Sequence, residues 1–316
     1  MDNTQTKIIV VGSLSQDMVF HVNYLPTPGE TIIASDFKIG LGGKGNNQAI
    51  AASRSGINTY FIGNIGNDEA GKLLKQSLIA NCVHTECLYT DSNYGTGLAF
   101  ITITPDSNNS IIIAPQANSN LKPELIEKSS YIFNGRYVLL LQLETPIEAS
   151  FTAAKIAFSQ KQPVILNPAP AAKQLPKELL EIVDFFIPNQ SETQILTGIE
   201  VTDFNSAKIA AQKLKSLGPK NIIITMGDIG VYTLDDNNQE IIKTAYKVSA
   251  IDTVAAGDAF CGAFAAHYSQ YNSIESAIDY ASCAGALATT KNGAVDSLPY
   301  KSDILDYLEK MAKINK

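Results

Sequence analysis

The chain is poor in the residues that build metal and redox sites. It has four cysteines, Cys82, Cys87, Cys261 and Cys283, and three histidines, His21, His84 and His267, in 316 residues. With no Cys-x-x-Cys pair and so few imidazoles, neither a zinc site nor a cysteine–histidine nucleophile is expected, and Cys82 and Cys87 read as packing residues. Charge is also sparse. Charged residues make up 17% of the chain and the net charge is −7, which argues against a nonspecific nucleic-acid binder or a binder of acidic membranes. No apolar run approaches the roughly 20 residues of a membrane span, and the first residues lack the layout of a signal peptide, so a cytoplasmic protein is expected. Repeats, linkers and low-complexity tracts are missing too. Neither standard nucleotide loop occurs, because no glycine loop ends in Gly-Lys-Ser/Thr and no Gly-x-Gly-x-x-Gly turn follows the first apolar run. What remains is a soluble enzyme of small molecules, 45% hydrophobic and long enough for a large core.

What is present is glycine at two helix starts. The segment Asp252-Thr253-Val254-Ala255-Ala256-Gly257-Asp258 runs directly into Ala259-Phe260-Cys261-Gly262-Ala263-Phe264-Ala265-Ala266. Unpaired N–H groups at a helix N-terminus attract anions, and small side chains let an anion reach the backbone. A carboxylate at that spot, Asp258, repels the anion unless it has a task, such as taking a proton from an attacking hydroxyl. The plain alternative is an Asp in the favoured first turn of a helix, and for an isolated Gly-Asp pair that alternative is the better one. A second cluster changes the balance. Gly40-Leu41-Gly42-Gly43-Lys44-Gly45-Asn46-Asn47-Gln48 leads into the alanine-rich stretch Ala49 to Ser55, which Gly56 would end. Its glycines permit positive φ and close backbone approach, and its polar side chains supply directed hydrogen bonds suited to a polyhydroxylated ligand. Cys261, one turn after Asp258, reads as a buried small residue close enough to the site for its oxidation to inhibit.

Short apolar runs punctuate the chain at Ile8–Val11, Tyr60–Ile62, Tyr137–Leu141, Val164–Leu166, Phe185–Ile187 and Ile222–Ile224. They read as buried parallel strands, alternating with amphipathic segments at Ala70–Ala80, Ile147–Ser159 and Ser206–Leu217. This predicts a single α/β domain over residues 1–316, doubly wound, with a mostly parallel central sheet and helices on both faces. Two regions lack intervening helices. Met18–Val22 with Thr31–Ile39, and Thr96–Thr104 with Ile111–Ile113 joined by a turn at Pro105–Asn109, predict antiparallel strands of a small protruding sheet. That sheet, roughly residues 17–39 and 96–115, would act as a lid. Asp235–Asn238 reads as a hairpin tip, and Lys301 onward as a surface helix.

Together the two glycine segments resemble the signatures of the ribokinase family of sugar kinases, a Gly-Gly-Lys-Gly-x-Asn loop and an Asp-Thr-x-x-Ala/Gly-Gly-Asp segment. The resemblance covers nearly the whole chain, through Val11–Ser13, Pro26–Thr31, Gln142–Pro146, Asn167–Pro170, Pro188-Asn189, Thr225–Gly227 and Gly293-Ala294. It implies ATP-dependent phosphorylation of a primary sugar hydroxyl, with ribose going to ribose 5-phosphate as first choice. Asp258 would be the base, and the backbone amides of Ala255, Ala256, Gly257 and Asp258 would form the anion hole. Ser15, Asp17, Gly43, Lys44, Gly45, Asn47 and Glu144 would bind the sugar; Asp17 and Glu144 each follow an apolar run and are expected at the sheet's carboxyl edge. Without the resemblance, Asp17 reads equally as a turn residue and Glu144 as an N-terminal helix carboxylate. Asn189, Thr225, Gly227, Asp228, Gly230, Gly257 and Ser282 would contact ATP. Glu192 would organise Mg²⁺ partly through water, and its plainer role as a first-turn capping residue is compatible. A potassium site is implied at Asp252, Val254, Ala288, Lys291, Gly293 and Ser297. Separately from the resemblance, the high apolar content of the lid segments predicts a homodimer through the lid sheets.

Three positions depart from the family pattern. Ser15 stands where many members have Asn, Gln116 where glycine is usual, and Asp228 places negative charge near the phosphates unless it points outward or pairs with Lys243 or Lys247. The first two bear on the sugar's identity, leaving 2-deoxyribose, another pentose or a nucleoside as alternatives. A nucleoside or hydroxymethyl heterocycle would need an aromatic pocket, for which Phe20, Phe37 and Phe100 are candidates. A non-catalytic sensor would need a dead site, whereas Asp258, Lys44 and Glu192 are all present.

Overall fold

The computed structural model describes residues 6–105 and 109–314. Its strands, in chain order, are β1 (Lys7–Val11), β2 (Ser15–His21), β3 (Asp36–Gly42), β4 (Thr59–Gly66), β5 (Val83–Asp91), β6 (Gly97–Ile103), β7 (Asn109–Ala114), β8 (Tyr137–Leu141), β9 (Val164–Leu166), β10 (Phe185–Phe186), β11 (Asn221–Thr225), β12 (Gly230–Leu234) and β13 (Glu240–Thr244). The helices are α1 (Lys44–Arg54), α2 (Glu69–Ala80), α3 (Pro123–Lys128), α4 (Ile147–Ser159), α5 (Lys177–Leu180), α6 (Gln190–Thr197), α7 (Phe204–Lys215), α8 (Ala256–Tyr271), α9 (Ile274–Ala288) and α10 (Lys301–Ile314).

The large sheet has the order β13-β12-β11-β10-β9-β8-β1-β4-β5. From β11 to β5 every neighbouring pair is parallel, and the six expected runs all form strands there. Only the β11–β12 and β12–β13 pairs are antiparallel. Parallel strands covered on both faces have no polar side, which is why Ile8, Ile9, Val10 and Val11 are all fully buried. Ile8 and Val10 join one core with α1, α8 and α9, while Ile9 and Val11 join a second with α4 and α7. At about 1.5–3 kcal/mol per buried aliphatic side chain, both faces must be covered for such a strand to be stable.

The small sheet has the order β3-β2-β6-β7. Its β2–β3 and β6–β7 pairs are antiparallel as expected, but the two hairpins join through a parallel β2–β6 pairing. Strand β3 begins at Asp36, so Thr31–Ser35 lies outside it. Of the expected turn at Pro105–Asn109, residues 106–108 lie outside the described residues. Strand register sets the two faces apart, since successive side chains alternate. Met18 is level with Ile39 and Phe100, Phe100 with Ile112, and Phe20 with Phe37. Asp17, on the other face, is level with Gly40 and Ala99.

Both glycine segments are helical earlier than the alanine patterns indicate. Helix α1 starts at Lys44 rather than Ala49, with Gly43 as its N-cap at φ +92°, and α8 starts at Ala256. The N-terminus of α1 sits directly on the β1–β2 connection. A Cβ on Gly45 would lie 2.5 Å from the Ser13 nitrogen, so only glycine allows this approach. Helices α1 and α8 also cross closely, because a Cβ on Gly262 would lie 2.4 Å from the Gln48 carbonyl oxygen. Strand β5 is an addition to the expected architecture, and the strands flanking the expected hairpin tip, β12 and β13, extend the large sheet as an antiparallel pair. The tip between β12 and β13 falls at Asp235–Gln239, and α10 begins at Lys301, both as expected.

Candidate active site

The strand order reverses between β8 and β1, since the chain proceeds from β1 to β4 and β5 on one side and from β8 to β11 on the other. Ligands of doubly wound sheets collect in the crevice outside the carboxyl ends at such a point. Here Ser13 follows β1, Gln142 and Glu144 follow β8, Asn167 follows β9, Ile187 and Asn189 follow β10, and Thr225 ends β11. Helices α1 and α8 direct their N-termini to the same place. The result is a cavity of about 180 Å³ lined by Lys44, Asn189, Glu192, Thr225, Ala255, Gly257 and Asp258 from the sequence reading. Its remaining lining, Asn167, Ala169, Ile187, Thr253 and Cys261, was not assigned a site role.

Asp258 lies in the first turn of α8 and is only 6% exposed. Its Oδ2 accepts a hydrogen bond from Asn47 Nδ2 at 2.9 Å, and its Oδ1 accepts one from Gln48 Nε2, also at 2.9 Å. A carboxylate has about four lone-pair directions, so acceptor capacity remains for a substrate hydroxyl. Ala255 caps α8 in a left-handed conformation, φ +60°, a strained backbone for a residue with a Cβ and of the kind concentrated at functional sites. The amides of Gly257 and Asp258 find no backbone acceptor among the described residues, as expected of a first turn. Ala256 differs from the expected anion hole, because its N–H donates to Thr253 O at 3.3 Å. At Gly257 a Cβ would meet no protein atom within 4 Å. Packing therefore does not require a glycine there.

At the start of α1, Glu144 Oε2 accepts from Ser13 Oγ at 2.5 Å and from the Lys44 backbone N–H at 3.0 Å, placing a carboxylate at the positive end of that helix. Asp17 belongs to β2 of the small sheet, not to the edge of the large one, and its Oδ1 accepts from Ser15 Oγ at 2.9 Å. The side chain lies over Gly42, where a Cβ would come within 2.2 Å of Asp17 Oδ2. Burial raises the Asp17 carboxyl to about 6, with the negative charges of Glu144 and Asp258 adding to the effect and the Ser15 hydroxyl opposing it. Burial works against the charge of Lys44 as well, yet Asp258, Glu144 and Glu192 hold its ammonium above the usual lysine range. Glu192 is pushed upward, chiefly by burial. Its Oε2 accepts from Asn189 N at 2.8 Å and its Oε1 from Asn189 Nδ2 at 3.0 Å, completing a capping box at the start of α6. Cys261 is buried and its thiol is raised well above its usual range, first by burial and then by Asp258 and Glu192.

The remaining expected residues stand apart from this cavity. Gly227 and Asp228 form an exposed turn after β11, and Gly230 opens β12 against Lys243. Asp228 makes no ion pair among the described residues, because Lys243 pairs with Asp279 instead. Ser282 is on α9 with its hydroxyl buried and without a partner among the described residues. Asp252 bridges two loops, its Oδ1 accepting from Val254 N at 3.0 Å and its Oδ2 from Gly293 N at 2.9 Å. Ala288 O accepts from Lys291 N at 3.4 Å, and Ser297 Oγ donates to Ala294 O at 2.8 Å. Phe20, Phe37 and Phe100 lie on the face of the small sheet away from Asp17, so the expected aromatic pocket does not form on the Asp17 side. Gln116 adopts φ +50°, a conformation that accounts for glycine at that position in the family pattern.

A doubly wound sheet with an apposed small sheet, and a buried aspartate at a glycine-opened helix start, are the arrangement expected of an ATP-dependent carbohydrate kinase. Comparison with known proteins is consistent throughout. The sequence model of the pfkB family carbohydrate kinase matches residues 5–301, and the chain belongs to that family. It is 40% identical to a ribokinase of Haemophilus influenzae over 96% of this chain and 98% of the relative. It is 35% identical to a deoxyribokinase of Salmonella typhi over 95% and 98%. The structure of Arabidopsis thaliana ribokinase complexed with ribose and ATP superposes with a TM-score of 0.86 at 30% identity, covering 96% of this chain and 98% of that one.

One consequence concerns Asp17. Its raised carboxyl is favoured in the folded state when protonated, so that contribution to stability is fully present below about pH 4 and is lost as the pH rises through 6. The substitution Asp17→Asn, which keeps a neutral side chain at all pH values, is therefore expected to raise the melting temperature at pH 8. The gain should shrink toward zero by pH 4 in thermal denaturation scans; a gain independent of pH contradicts this reading.

Proposed function

We propose that the protein transfers the γ-phosphoryl group of ATP to the 5-hydroxyl of ribose, with Asp258 as general base. The observation that carries this reading is the placement of Asp258, buried at the mouth of α8 and anchored by Asn47 and Gln48 from α1. Asp258 takes the hydroxyl proton as the sugar oxygen forms a bond to the γ-phosphorus. The bond to the β–γ bridging oxygen breaks, and ADP leaves with that electron pair. The free amides at Gly257 and Asp258 face the charge that spreads over the transferred oxygens, and Lys44 adds a cation to the same cavity. Ser15 donates to Asp17, leaving that carboxylate to accept from the sugar's ring hydroxyls alongside Glu144 and Asn47. Ribose is preferred over 2-deoxyribose because Asp17, Glu144 and Asn47 offer more polar partners than a sugar lacking one hydroxyl would satisfy. In this reading the small sheet is a lid on a single domain, covering the sugar.

Glu192 fits a magnesium ion. An ionised carboxylate is disfavoured by burial at that wall, and a cation would offset the cost. Mg²⁺ keeps most of its waters, so one protein carboxylate is enough, and when bound it would neutralise phosphate charge. The loop from Asp252 to Val254 and the turns after α9 fit a monovalent cation. Asp252 already gathers these segments, and Val254, Ala288, Lys291 and Gly293 could offer carbonyls beside Ser297. A weakly hydrated ion there would stiffen the loop leading to the Gly257 amide. The apolar row of Ile39, Met18, Phe100 and Ile112, with Ile112 69% exposed, is suited to a second copy of the chain against the lid.

Four outcomes are expected. The substitution Asp258→Asn should retain ATP binding and lower turnover about 100- to 10,000-fold. Gly257→Ala should unfold at the same temperature as the parent, yet lose activity as its methyl enters the anion site; full activity in either variant refutes the assignment. Initial rates should be higher in potassium than in sodium-only buffer, and equal rates would remove the cation site from the proposal. Sedimentation should give a dimer mass, whereas a monomer mass at all concentrations would leave the lid face without this partner.

A further inference from the structure

The amide groups behind Asp258 form a chain with a fixed direction. Asn167 Nδ2 donates to the backbone carbonyl of Ile187 at 2.8 Å, an acceptor that cannot exchange roles. This turns Asn167 Oδ1 toward Gln48, whose Nε2 donates to it at 3.1 Å and to Asp258 Oδ1 at 2.9 Å. On the far side, Gln142 Nε2 donates to Gln48 Oε1 at 2.7 Å. Gln48 and Gln142 are fully buried. In this orientation Gln142 Oε1 is sealed from solvent without a donor among the described residues, and it lies against Gly12, where a Cβ would come within 2.1 Å. Turning the Gln142 amide over would set two carbonyl oxygens against each other at Gln48. The unpaired Oε1 is thus the cost of keeping an N–H group directed at Gln48.

We infer that Gln48 is a positioning residue for the transfer step: it holds one oxygen of Asp258 as a permanent acceptor, with its own orientation imposed by Asn167 and Gln142, so that the other oxygen is presented to the sugar hydroxyl. The inference rests on Asp258 being the base. Gln48 does not line the cavity, so it acts through the two lining residues it donates to, Asp258 and Asn167, of which Asp258 is the one placed to meet the hydroxyl. The charged or titratable groups that face Asp258 are Lys44 from α1, Glu192 from α6, Asp17 from β2 and Cys261 from α8 itself. None of them supplies a hydrogen bond to its carboxylate among the described residues. The two carboxamides of Asn47 and Gln48 do so alone.

The test uses the whole enzyme with ATP and ribose. Gln48→Met is close in volume and removes both donor and acceptor. It should lower kcat roughly 10- to 100-fold, the range given by losing a hydrogen bond to a charged group, with the KM values for ATP and ribose unchanged. The acid limb of its kcat profile should move to higher pH, since a carboxylate that has lost a donor holds its proton more tightly. Gln142→Met touches neither Asp258 nor the cavity, and should shift the limb in the same direction by less with little change in melting temperature. If Gln48→Met does not fold, Gln142→Met decides. An unmoved acid limb, or KM values that rise in step with the loss of kcat, overturns the inference. Asp258→Asn separates the two readings: retained turnover there overturns the base itself, whereas lost turnover beside an unmoved limb in both Met variants overturns only the positioning role.

Discussion

The hydrogen bonds from Asn47 and Gln48 to Asp258 join two helix starts that are about 210 residues apart in the chain. Their effect is to place an acid, a cation and free amides around one cavity. The close crossing of α1 and α8 over Gly262 makes the contact possible, and the seating of α1 on the β1–β2 connection through Gly45 fixes its height above the sheet. Both approaches are impossible with any side chain present. Gly45 of the Gly40–Gln48 segment and Gly262 of α8 therefore serve packing, a role the sequence alone does not distinguish from ligand binding.

Charge balance follows from the same geometry. Four carboxylates, Asp17, Glu144, Glu192 and Asp258, influence one another within the crevice, and Lys44 is held charged by three of them. Such a site carries an excess of negative charge before an anionic nucleotide arrives. The free helix amides reduce that excess, and a cation at Glu192 would reduce it further. Asp17 shows the expense most clearly, since its carboxyl is raised to about 6 by burial and by its acidic neighbours.

Much of the fold was legible in the sequence. Continuous aliphatic runs such as Ile8–Val11 announced strands buried on both faces, and the six expected strands all lie in the parallel part of the sheet. Strand β5 escaped notice because Val83–Asp91 mixes polar and apolar residues at the sheet's edge, where one side is less covered. The start of α1 was misplaced because Gly45, Asn46 and Asn47 are poor helix formers, and tertiary contacts override that preference here. Asp258 and Lys44 stand out by residue type in a glycine-rich context, whereas Glu192 stands out only through the resemblance to the family, its capping position being an ordinary one. Gln48, Gln142 and Asn167 could not be assigned, because an amide becomes informative only once its partner and direction are known. Phe20, Phe37 and Phe100 show the converse: their type suggested a pocket, and strand register puts them on the opposite face from Asp17.

The central claim is that Asp258 meets the hydroxyl being phosphorylated while the start of α8 meets the phosphate. A crystal structure with ribose and a non-hydrolysable ATP analogue measures both distances at once. The account predicts the 5-hydroxyl about 2.6–3.2 Å from an Asp258 carboxylate oxygen, with the terminal phosphate against the Gly257 amide. A sugar whose 5-hydroxyl contacts another base, or a terminal phosphate bound away from Gly257, would contradict it.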